Sequence, residues 1–168
     1  MCPPLSPEEL CSLIDDHFAT LLLYARQWDA DCADDLVQNA FLQLVRRARY
    51  EGRPPQPLAW LFQVVRNGAI DRKRKKKTEQ KHEESFAAEK TPVRFEAPEN
   101  AVVRADEIES LLASLPQEQR EIVVERIWGG LSFDEIAALH KTSRTTIFRT
   151  YTEAIATMKK HAEDTDIP

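Results

Sequence analysis

The stretch Leu131–Ile155, LSFDEIAALHKTSRTTIFRTYTEAI, contains two short helical patterns on either side of a turn. Ser132 and Glu135 have the spacing of a capping box, in which each side chain accepts a hydrogen bond from the backbone N–H of the other residue. The turn is expected around His140–Thr142. Ser143 is suited to cap the second helix, because its hydroxyl can accept from an N–H group of the first turn. The stretch therefore predicts a helix–turn–helix.

The second helix of this stretch has two different faces. Its apolar face is formed by residues at helical spacing: Ile147, Tyr151, Ala154, Ile155 and Met158. The helix start and the other face carry the candidate DNA-reading residues: Ser143, Arg144, Thr145, Thr146, Phe148 and Arg149. Arginine reads guanine edges in the major groove, and threonine contacts thymine methyl groups or phosphates. A solvated helical hairpin has the same pattern, so this stretch alone leaves both interpretations open.

The N-terminal part of the chain predicts two amphipathic helices. The proline and two glutamates of Pro7–Glu9 favour a helix start, since the ring fixes φ and the acids suit the positive helix end. Apolar residues then recur at three- and four-residue steps over residues 10–25. After a break near Trp28–Ala30, a second helix is predicted from about Asp31 to Arg49. Its apolar face consists of Leu36, Val37, Ala40, Phe41 and Leu44.

A proline-rich loop and a basic helix follow. The sequence EGRPPQP at Glu51–Pro57 excludes helix, and a third helix is predicted from Pro57 or Leu58 through the basic run RKRKKK at Arg72–Lys77. Cations neutralise phosphates, while aromatic and amide groups stack on or hydrogen-bond to bases. The candidate nucleic-acid residues of this helix are Arg66, Asn67, Arg72 and Arg74. A solvated tail or an RNA-binding arm is also compatible with the basic run.

The helical pattern fails from Thr78 to Pro98, where the sequence is polar and lacks a sustained apolar stripe. A second helical block begins near Glu99, and Pro116 opens a helix that is expected to end at Gly129–Gly130. The predicted fold class is therefore all-α, with two small helical domains at 1–77 and 99–162. A flexible linker at 78–98 joins them, and the second domain contains the helix–turn–helix.

Charge is distributed unevenly along this chain of 168 residues and net charge −5. Between Met1 and Val45 the only lysine or arginine is Arg26, against eight aspartates and glutamates, whereas Arg72–Lys77 is basic without interruption. Local fields rather than the net charge therefore matter for binding. An acidic region and a basic region indicate two different partners.

Several functional classes find no support in the sequence. The three cysteines lack CxxC spacing and the four histidines are scattered, so no metal site and no cofactor are expected. Nucleotide-binding glycine motifs and the GxSxG motif of hydrolases are absent, and nothing else indicates an enzyme. No apolar run approaches the length of a membrane span, and no secretory signal is visible. The expected location is cytoplasmic.

Three blocks of the sequence together resemble one family. The first is LLLYARQWDADCADDLVQNAFLQLVRR, with the signature DDLVQxxF at Asp34–Phe41. The second is PLAWLFQVVRNGAIDRKR, and the third is LPQEQREIVVERIWGGLSFDEIAALHKTSRTTI. In this order and spacing they are similar to the bacterial extracytoplasmic-function sigma factors, the two-domain members of the main sigma class. The resemblance covers Leu10–Lys77 and Val102–Lys160.

The resemblance implies a division of labour between the domains. The second helix would bind the β′ clamp of core RNA polymerase, with Asp35, Gln38 and Phe41 as candidates, and the β flap is a further expected contact. The loop from Arg46 to Pro57 and the third helix would contact the melted minus-ten element, with a base flipped into a pocket beside the loop. The helix–turn–helix would read the minus-thirty-five element. An anti-sigma factor is a possible further partner.

Four positions depart from the family pattern. The turn has Lys141 and Thr142 where glycine and an aliphatic residue are usual, and the later recognition helix has Thr150 and Glu153 where basic residues are frequent. These departures leave the promoter sequence unpredictable. Two other hypotheses remain: a conventional helix–turn–helix regulator that acts without polymerase, and a metal-dependent nuclease. The nuclease is disfavoured because the acids before the second helix are better explained as helix N-terminal charges.

Overall fold

A computed structural model describes residues 5–81 and 99–165, with side chains placed from residue 106 onward in the second stretch. Within these ranges the chain forms seven α-helices and no strand, which confirms the predicted all-α fold class. Contacts group the chain into two compact units, Met1–Pro92 and Val93–Pro168. None of the described helices is both long and apolar enough to cross a membrane.

The first unit begins with α1 (Pro7–Arg26), which has the predicted proline at its start. Ser6 and Glu9 form a capping box, and the backbone N–H of Ser6 that donates to the Glu9 carboxylate lowers the pKa of Glu9. A short 3₁₀ turn at Ala30–Cys32 precedes α2 (Ala33–Tyr50). The predicted start of this helix at Asp31 is therefore two residues early. The Asp29 carboxylate accepts from the N–H of Asp31 and caps a separate turn there.

Helix α3 (Pro57–Gln80) packs against both preceding helices. The Tyr24 ring meets Phe62 edge to face at 5.0 Å between centroids, and Phe18 stacks on Phe41 at 6.4 Å. A Cβ on Gly68 would lie 3.0 Å from the end of the Leu36 side chain, so a larger residue at this close approach of α3 to α2 would require that side chain to shift by a few tenths of an ångström. The predicted apolar face of α2 is confirmed, because all five of its residues are buried.

Two boundaries of the predicted linker can be compared with the structure. Helix α3 continues three residues beyond Lys77, because the polar residues that follow it are all compatible with helix. The remainder of the predicted linker, 82–98, lies outside the described residues. Helix α4 (Glu99–Ala113) begins where the second domain was expected to begin.

The second unit continues with α5 (Gln117–Val123), which starts directly after Pro116 as predicted. The helical backbone continues from α5 to Trp128, but its last turn, Val124–Trp128, is a π-turn rather than α-helix. The N–H of Gly129 donates to the Val124 carbonyl at 2.9 Å, which is the i→i−5 bond of that geometry. Sequence periodicity could not predict this wider turn, since one extra residue shifts the side chains that follow.

The helix–turn–helix consists of α6 (Phe133–His140) and α7 (Arg144–Asp164). The capping box of Ser132 and Glu135 is confirmed, and Ser143 caps α7 by accepting from the N–H of Thr146 at 3.2 Å. Lys141 closes α6 in the left-handed conformation with φ 55°. A residue with a Cβ is less stable there by about 1–2 kcal/mol than glycine, which explains why glycine is the usual choice in such a turn.

Candidate nucleic-acid and protein interfaces

The predicted DNA-reading face of α7 is accessible over most of its length. Five of its members are exposed: Ser143, Arg144, Thr145, Phe148 and Arg149. The opposite, apolar face packs inward, with Ile147 and Ala154 fully buried. Ser143 and Thr146 differ from the rest, because their hydroxyls lie 2.8 Å apart and bond to each other at the helix start. Arg144, Thr145, Phe148 and Arg149 can meet a groove directly, whereas Ser143 and Thr146 primarily hold the end of the helix.

The guanidinium of Arg144 lies 3.9 Å from the Asp134 carboxylate, a loose ion pair between two side chains that are 66% and 76% exposed. Such a pair contributes little to stability in water, about 0–1 kcal/mol. Its geometric effect is to keep Arg144 near the start of α6. Among the described residues Arg149 has no ion pair within the same distance, so of the two cations it is the more available for a new partner.

Phe148 is supported by an aromatic cluster that was not identified from the sequence. Its ring is 56% exposed and meets Phe133 edge to face at 5.4 Å, while Tyr151 meets Phe133 at 5.5 Å. The Arg126 guanidinium lies over Phe133 at 4.5 Å and donates to the Leu131 carbonyl at 2.8 Å. Phe133 is the first residue of α6, directly after the cap Ser132. Its contact with α7 depends on how the turn orients the two helices, which residue spacing in the sequence does not specify.

The basic face of α3 is held by residues from the segment between α1 and α2. Arg66 and Lys73 both lie 5.9 Å from the centre of the Trp28 ring, a cation–π arrangement. The Lys76 ammonium donates to the carboxylate of Asp29, the next residue along. Trp28 and Asp29 therefore position three cations of α3. The sequence indicates only a helix N-terminal charge for Asp29 and no role for Trp28.

The electrostatics of the Asp29–Lys76 pair follow from its partial burial. Burial raises the pKa of Asp29, but the hydrogen bonds from Lys76 and from the Asp31 backbone outweigh it, so the pKa of Asp29 lies below its usual value. The same hydrogen bond raises the pKa of Lys76. Both groups therefore remain charged at neutral pH.

The predicted minus-ten residues are distributed over this face of α3. Asn67 and Arg74 are exposed. Arg72 lies 3.6 Å from the Asp35 carboxylate on α2, with a side chain that is 40% exposed. Two residues predicted for different partners, Asp35 for polymerase and Arg72 for DNA, are thus neighbours in the structure.

The second helix presents an exposed stripe beside its buried face. Asp35, Gln38, Leu42 and Val45 follow each other at three- and four-residue steps and are all exposed, with Leu42 at 58% and Val45 at 40%. Phe41 does not belong to this stripe, because its side chain is only 6% exposed. Its predicted contact with polymerase is therefore not available as a surface contact in this conformation. Leu42 and Val45 were not among the residues predicted from the sequence, although they have helical spacing from Gln38.

A shallow cavity of about 280 Å³ lies where α2 ends and α3 begins. Its lining residues are Gln43, Arg46, Arg47, Tyr50, Glu51 and Trp60. The Arg47 guanidinium lies 5.6 Å from the centre of the Trp60 ring, and its buried Nε makes no hydrogen bond to the described residues. The loop beside it is tied to α1, because Arg53 donates to the Glu9 carboxylate at 3.1 Å.

A third group of polar side chains lies inside the second unit. The ligand atoms of Glu121, Glu125 and His140 all lie within 4.8 Å of one another. The side chains of Glu125 and His140 are 0% and 3% exposed. Along the sequence this histidine is isolated, because the two glutamates are 15 and 19 positions away in the chain. Only the fold brings these three residues together.

Two family models match the chain. The model of sigma-70 region 2 matches residues 13–79, and the model of sigma-70 region 4 matches residues 105–158. The first match lies within the first unit and the second match lies within the second unit.

Curated relatives of this chain are extracytoplasmic-function sigma factors. SigK of Mycobacterium ulcerans is 25% identical over 71% of this chain and 66% of its own length. SigX of Bacillus subtilis is 26% identical over 80% of this chain and 73% of its own length. SigD of Mycobacterium tuberculosis is 33% identical over 63% of this chain and 51% of its own length. The matched part thus spans between half and three quarters of these relatives.

Two solved structures share the fold. CnrH, in complex with the cytosolic domain of CnrY, matches with a TM-score of 0.62 and 22% identity, over 95% of this chain and 90% of CnrH. The sigma factor RpoE of Bartonella quintana, in complex with the anti-sigma factor NepR, matches with a TM-score of 0.65 and 20% identity, over 92% of this chain and 96% of RpoE. With regions 2 and 4 both matched in order and with relatives of one kind, the chain belongs to the extracytoplasmic-function sigma factors of the sigma-70 family.

Proposed function

We propose that this chain is a promoter-specificity subunit that binds core RNA polymerase, directs it to particular promoters and assists promoter melting through its first unit. One observation supports this most strongly. The chain combines three features: a helix, α2, with an exposed stripe of apolar and polar residues; a basic helix, α3, in which Arg72 is paired with Asp35 of α2; and a helix–turn–helix with an exposed cationic face. A regulator that acted alone would need only the last of these.

The docking surface for polymerase is the α2 stripe of Asp35, Gln38, Leu42 and Val45. Exposed aliphatic side chains flanked by polar groups are typical of protein interfaces, where burial of the apolar groups supplies free energy and the polar groups supply orientation. Phe41 acts behind this surface. Its ring packs on Phe18 and fixes the helix face from which the stripe projects.

The minus-ten element is proposed to meet α3 and the cavity beside the loop 51–56. The residues that face the DNA strand are Arg66, Asn67, Arg72 and Arg74. The arginines neutralise phosphates and release their counterions, which favours binding of the strand. A base that leaves the stack needs an aromatic surface to replace its lost stacking, and unstacking costs a few kcal/mol. Tyr50, which is 77% exposed, and Trp60 provide such surfaces at the cavity.

The minus-thirty-five element is proposed to lie against the exposed face of α7. Arg149 and Arg144 supply the cations for guanine edges or phosphates, and Phe148 presents an apolar edge suited to thymine methyl groups. Ser143 and Thr146, bonded to each other, keep the N-terminal N–H groups of α7 in place near the backbone of the groove. The first turn of α7 contains no acidic residue that would repel phosphates.

The acidic balance of the chain fits this division of roles. The factor reaches DNA as part of the polymerase, so tight binding of free DNA is unnecessary and a net charge of −5 discourages it. The chain itself makes or breaks no bond, and it acts in the cytoplasm, where core polymerase is found. Because the Bartonella quintana relative is bound to an anti-sigma factor, an anti-sigma protein is proposed as a further partner here.

Run-off transcription tests the proposal. Purified core polymerase is combined with the full chain and a library of promoters with two boxes at varied spacing, at moderate salt. Discrete start sites that require the chain are expected, and the selected promoters report both boxes. If the chain bound DNA by itself but produced no start sites, the conventional regulator would be the better explanation. Transcripts that appear equally without the chain would also contradict the proposal.

A further inference from the structure

The buried cluster of Glu121, Glu125 and His140 has no part in the proposed DNA or polymerase contacts. The Nε2 atom of His140 lies 2.9 and 3.1 Å from the two carboxylate oxygens of Glu125. Glu121 lies in α5, four residues before Glu125 in the π-turn that continues this helix, and it is 2% exposed. Two carboxylates and one imidazole therefore converge inside a unit whose other described buried residues are apolar.

We propose that Glu121, Glu125 and His140 bind one divalent first-row transition-metal ion, of which Zn²⁺ is the probe of choice. One imidazole and two carboxylates form a donor set suited to such ions, and three protein ligands with a fourth position left for water are common in zinc sites. A divalent ion balances the two carboxylates in charge, while His140 coordinates as a neutral imidazole.

The distances fit an ion after a small adjustment. In a tetrahedral zinc site with bonds of about 2.0–2.2 Å, neighbouring ligand atoms lie roughly 3.3 Å apart. The pair of His140 and Glu125 is a few tenths of an ångström closer than that. The three ligand atoms lie within 4.8 Å of one another, so the Glu121 carboxylate must move closer to the other two when an ion binds. Its Oε1 already accepts a hydrogen bond from the Gln117 side chain at 3.4 Å, which the ion would replace or share.

The backbone around the cluster is already fixed. Glu125 lies in the π-turn Val124–Trp128, and its carbonyl accepts from the N–H of Leu131 at 3.1 Å. Turns of this kind occur frequently at functional sites, because the extra residue displaces a side chain from the helical pattern. His140 is the last residue of α6, which is closed by hydrogen bonds from Lys141 and Thr142 to the preceding turn. Preorganised ligands lose less conformational entropy when an ion binds.

An ion at this position would link α5 and the π-turn that continues it to the end of α6. His140 is followed at once by Lys141, in the left-handed conformation, and then by the cap of α7. Occupancy would therefore stabilise the turn that sets the direction of the proposed recognition helix. This consequence rests on the proposed function, but the binding of the ion does not.

Metal binding by the full chain is the direct test. The protein is stripped with a chelator, exchanged into metal-free buffer and titrated with Zn²⁺ by calorimetry, with Co²⁺ absorption as a second probe of coordination. We expect one ion per chain. Because each ligand carries a large share of the binding free energy, Glu125→Gln and His140→Gln are each expected to weaken Zn²⁺ binding about 100-fold. Zn²⁺ should raise the Tm of the parent chain, and at the same Zn²⁺ concentration the increase should be smaller in both variants.

Two matched variants control for other ligands. His161→Gln removes a histidine outside the cluster, and Cys11→Ser removes an exposed thiol. Both are expected to bind Zn²⁺ with the affinity of the parent chain. Glu121→Gln provides a third cluster variant should either of the others lose its helical circular dichroism.

Three results would overturn the proposal: less than one ion per chain, equal affinity in the folded cluster variants and the parent, or loss of binding in Cys11→Ser. Each would identify the cluster as an ordinary buried hydrogen-bonded pair with a neighbouring acid. None bears on run-off transcription, so the sigma-factor assignment is tested independently.

Discussion

The two units expose their cations in different ways. On α3 of the first unit, Lys76 and Arg72 are paired with Asp29 and Asp35, and two further cations lie against the Trp28 ring. On α7 of the second unit, Arg144 has only a loose pair and extends into solvent. Asp29 and Asp35 thus hold cations of the basic helix in the first unit, whereas on α7 the described ion pairs of the two arginines are limited to the loose contact between Arg144 and Asp134.

This difference has a physical rationale in the proposed roles. A melted strand is flexible, so the surface that receives it gains from side chains that are already fixed. Duplex DNA has a regular groove, and mobile arginines can adapt to its base edges. The comparison also separates residues that shape a surface from residues that contact a partner, and variants at both kinds of position can test it.

Phe41→Ala is expected to have the largest effect on stability. Removal of this buried ring leaves a cavity and should lower the free energy of unfolding of the first unit by about 3–5 kcal/mol. Urea unfolding of the full chain with Trp128→Phe measures it, because the remaining tryptophans, Trp28 and Trp60, report the first unit. A loss below roughly 1 kcal/mol would mean that Phe41 is not a core residue in solution.

Leu42→Asp is the matched variant on the neighbouring, exposed stripe. It should change stability by less than about 0.5 kcal/mol, while core polymerase affinity falls by roughly tenfold or more, because a charge is placed in an apolar contact. Fluorescence anisotropy with purified core polymerase measures the affinity, and Ala19→Asp at an exposed position of α1 controls for the added charge. Equal affinities in the two variants would remove the stripe from the docking surface.

The positions of Phe41 and Leu42 in the structure show what could be predicted from the sequence. Helical periodicity identified the helices and the buried face of α2, because side-chain burial follows backbone geometry. Phe41 belongs to both that face and the family signature, and a signature does not say whether a residue contacts a partner or supports the helix behind the contact. Leu42 was readable from its spacing, but an isolated exposed leucine is common and carries little information without the structure.

Other features depended on contacts between elements distant in sequence. Trp28 was recognised only as part of a break, and its position beside α3 follows from the packing of three helices. Glu125 lies in the π-turn and contacts His140, and no local sequence pattern specifies that turn. The caps at Ser132 and Ser143 were predictable for the opposite reason, since a cap is decided within four residues.

Arg149→Ala is expected to have an intermediate effect. An arginine that makes a bidentate contact with a guanine contributes about 1–3 kcal/mol of discrimination, so initiation at a preferred promoter should fall at least about fivefold. Arg144→Ala should reduce it less, because Arg144 must first leave Asp134. Run-off yields across promoter variants measure both, with Lys159→Ala near the other end of α7 as the charge-matched control. An equal loss in the control would indicate a general electrostatic effect, and loss of core binding would indicate a structural role.

The smallest effect is expected for Asp29→Asn, which removes the anchor of Lys76. Because the folded-state pKa of Asp29 lies below its usual value of 3.8, the stabilisation is present above that pH and lost as pH falls through the folded pKa. The raised pKa of Lys76 preserves it up to at least the usual value of 10.5, with loss as pH rises through the folded pKa. A partly exposed pair contributes about 0.2–1 kcal/mol.

Hydrogen exchange at the C-terminal end of α3 resolves an effect of this size. Protection factors of the amides in residues 73–80 should be about 2–5-fold lower in Asp29→Asn than in the parent at pH 7, and this difference should be smaller at pH 3. Asp16→Asn, which removes the same charge from α1, should leave them unchanged at both pH values. If Asp29→Asn exchanged like the parent at pH 7, the basic helix would not depend on its acidic neighbours, and the contrast between the two units would reduce to exposure alone.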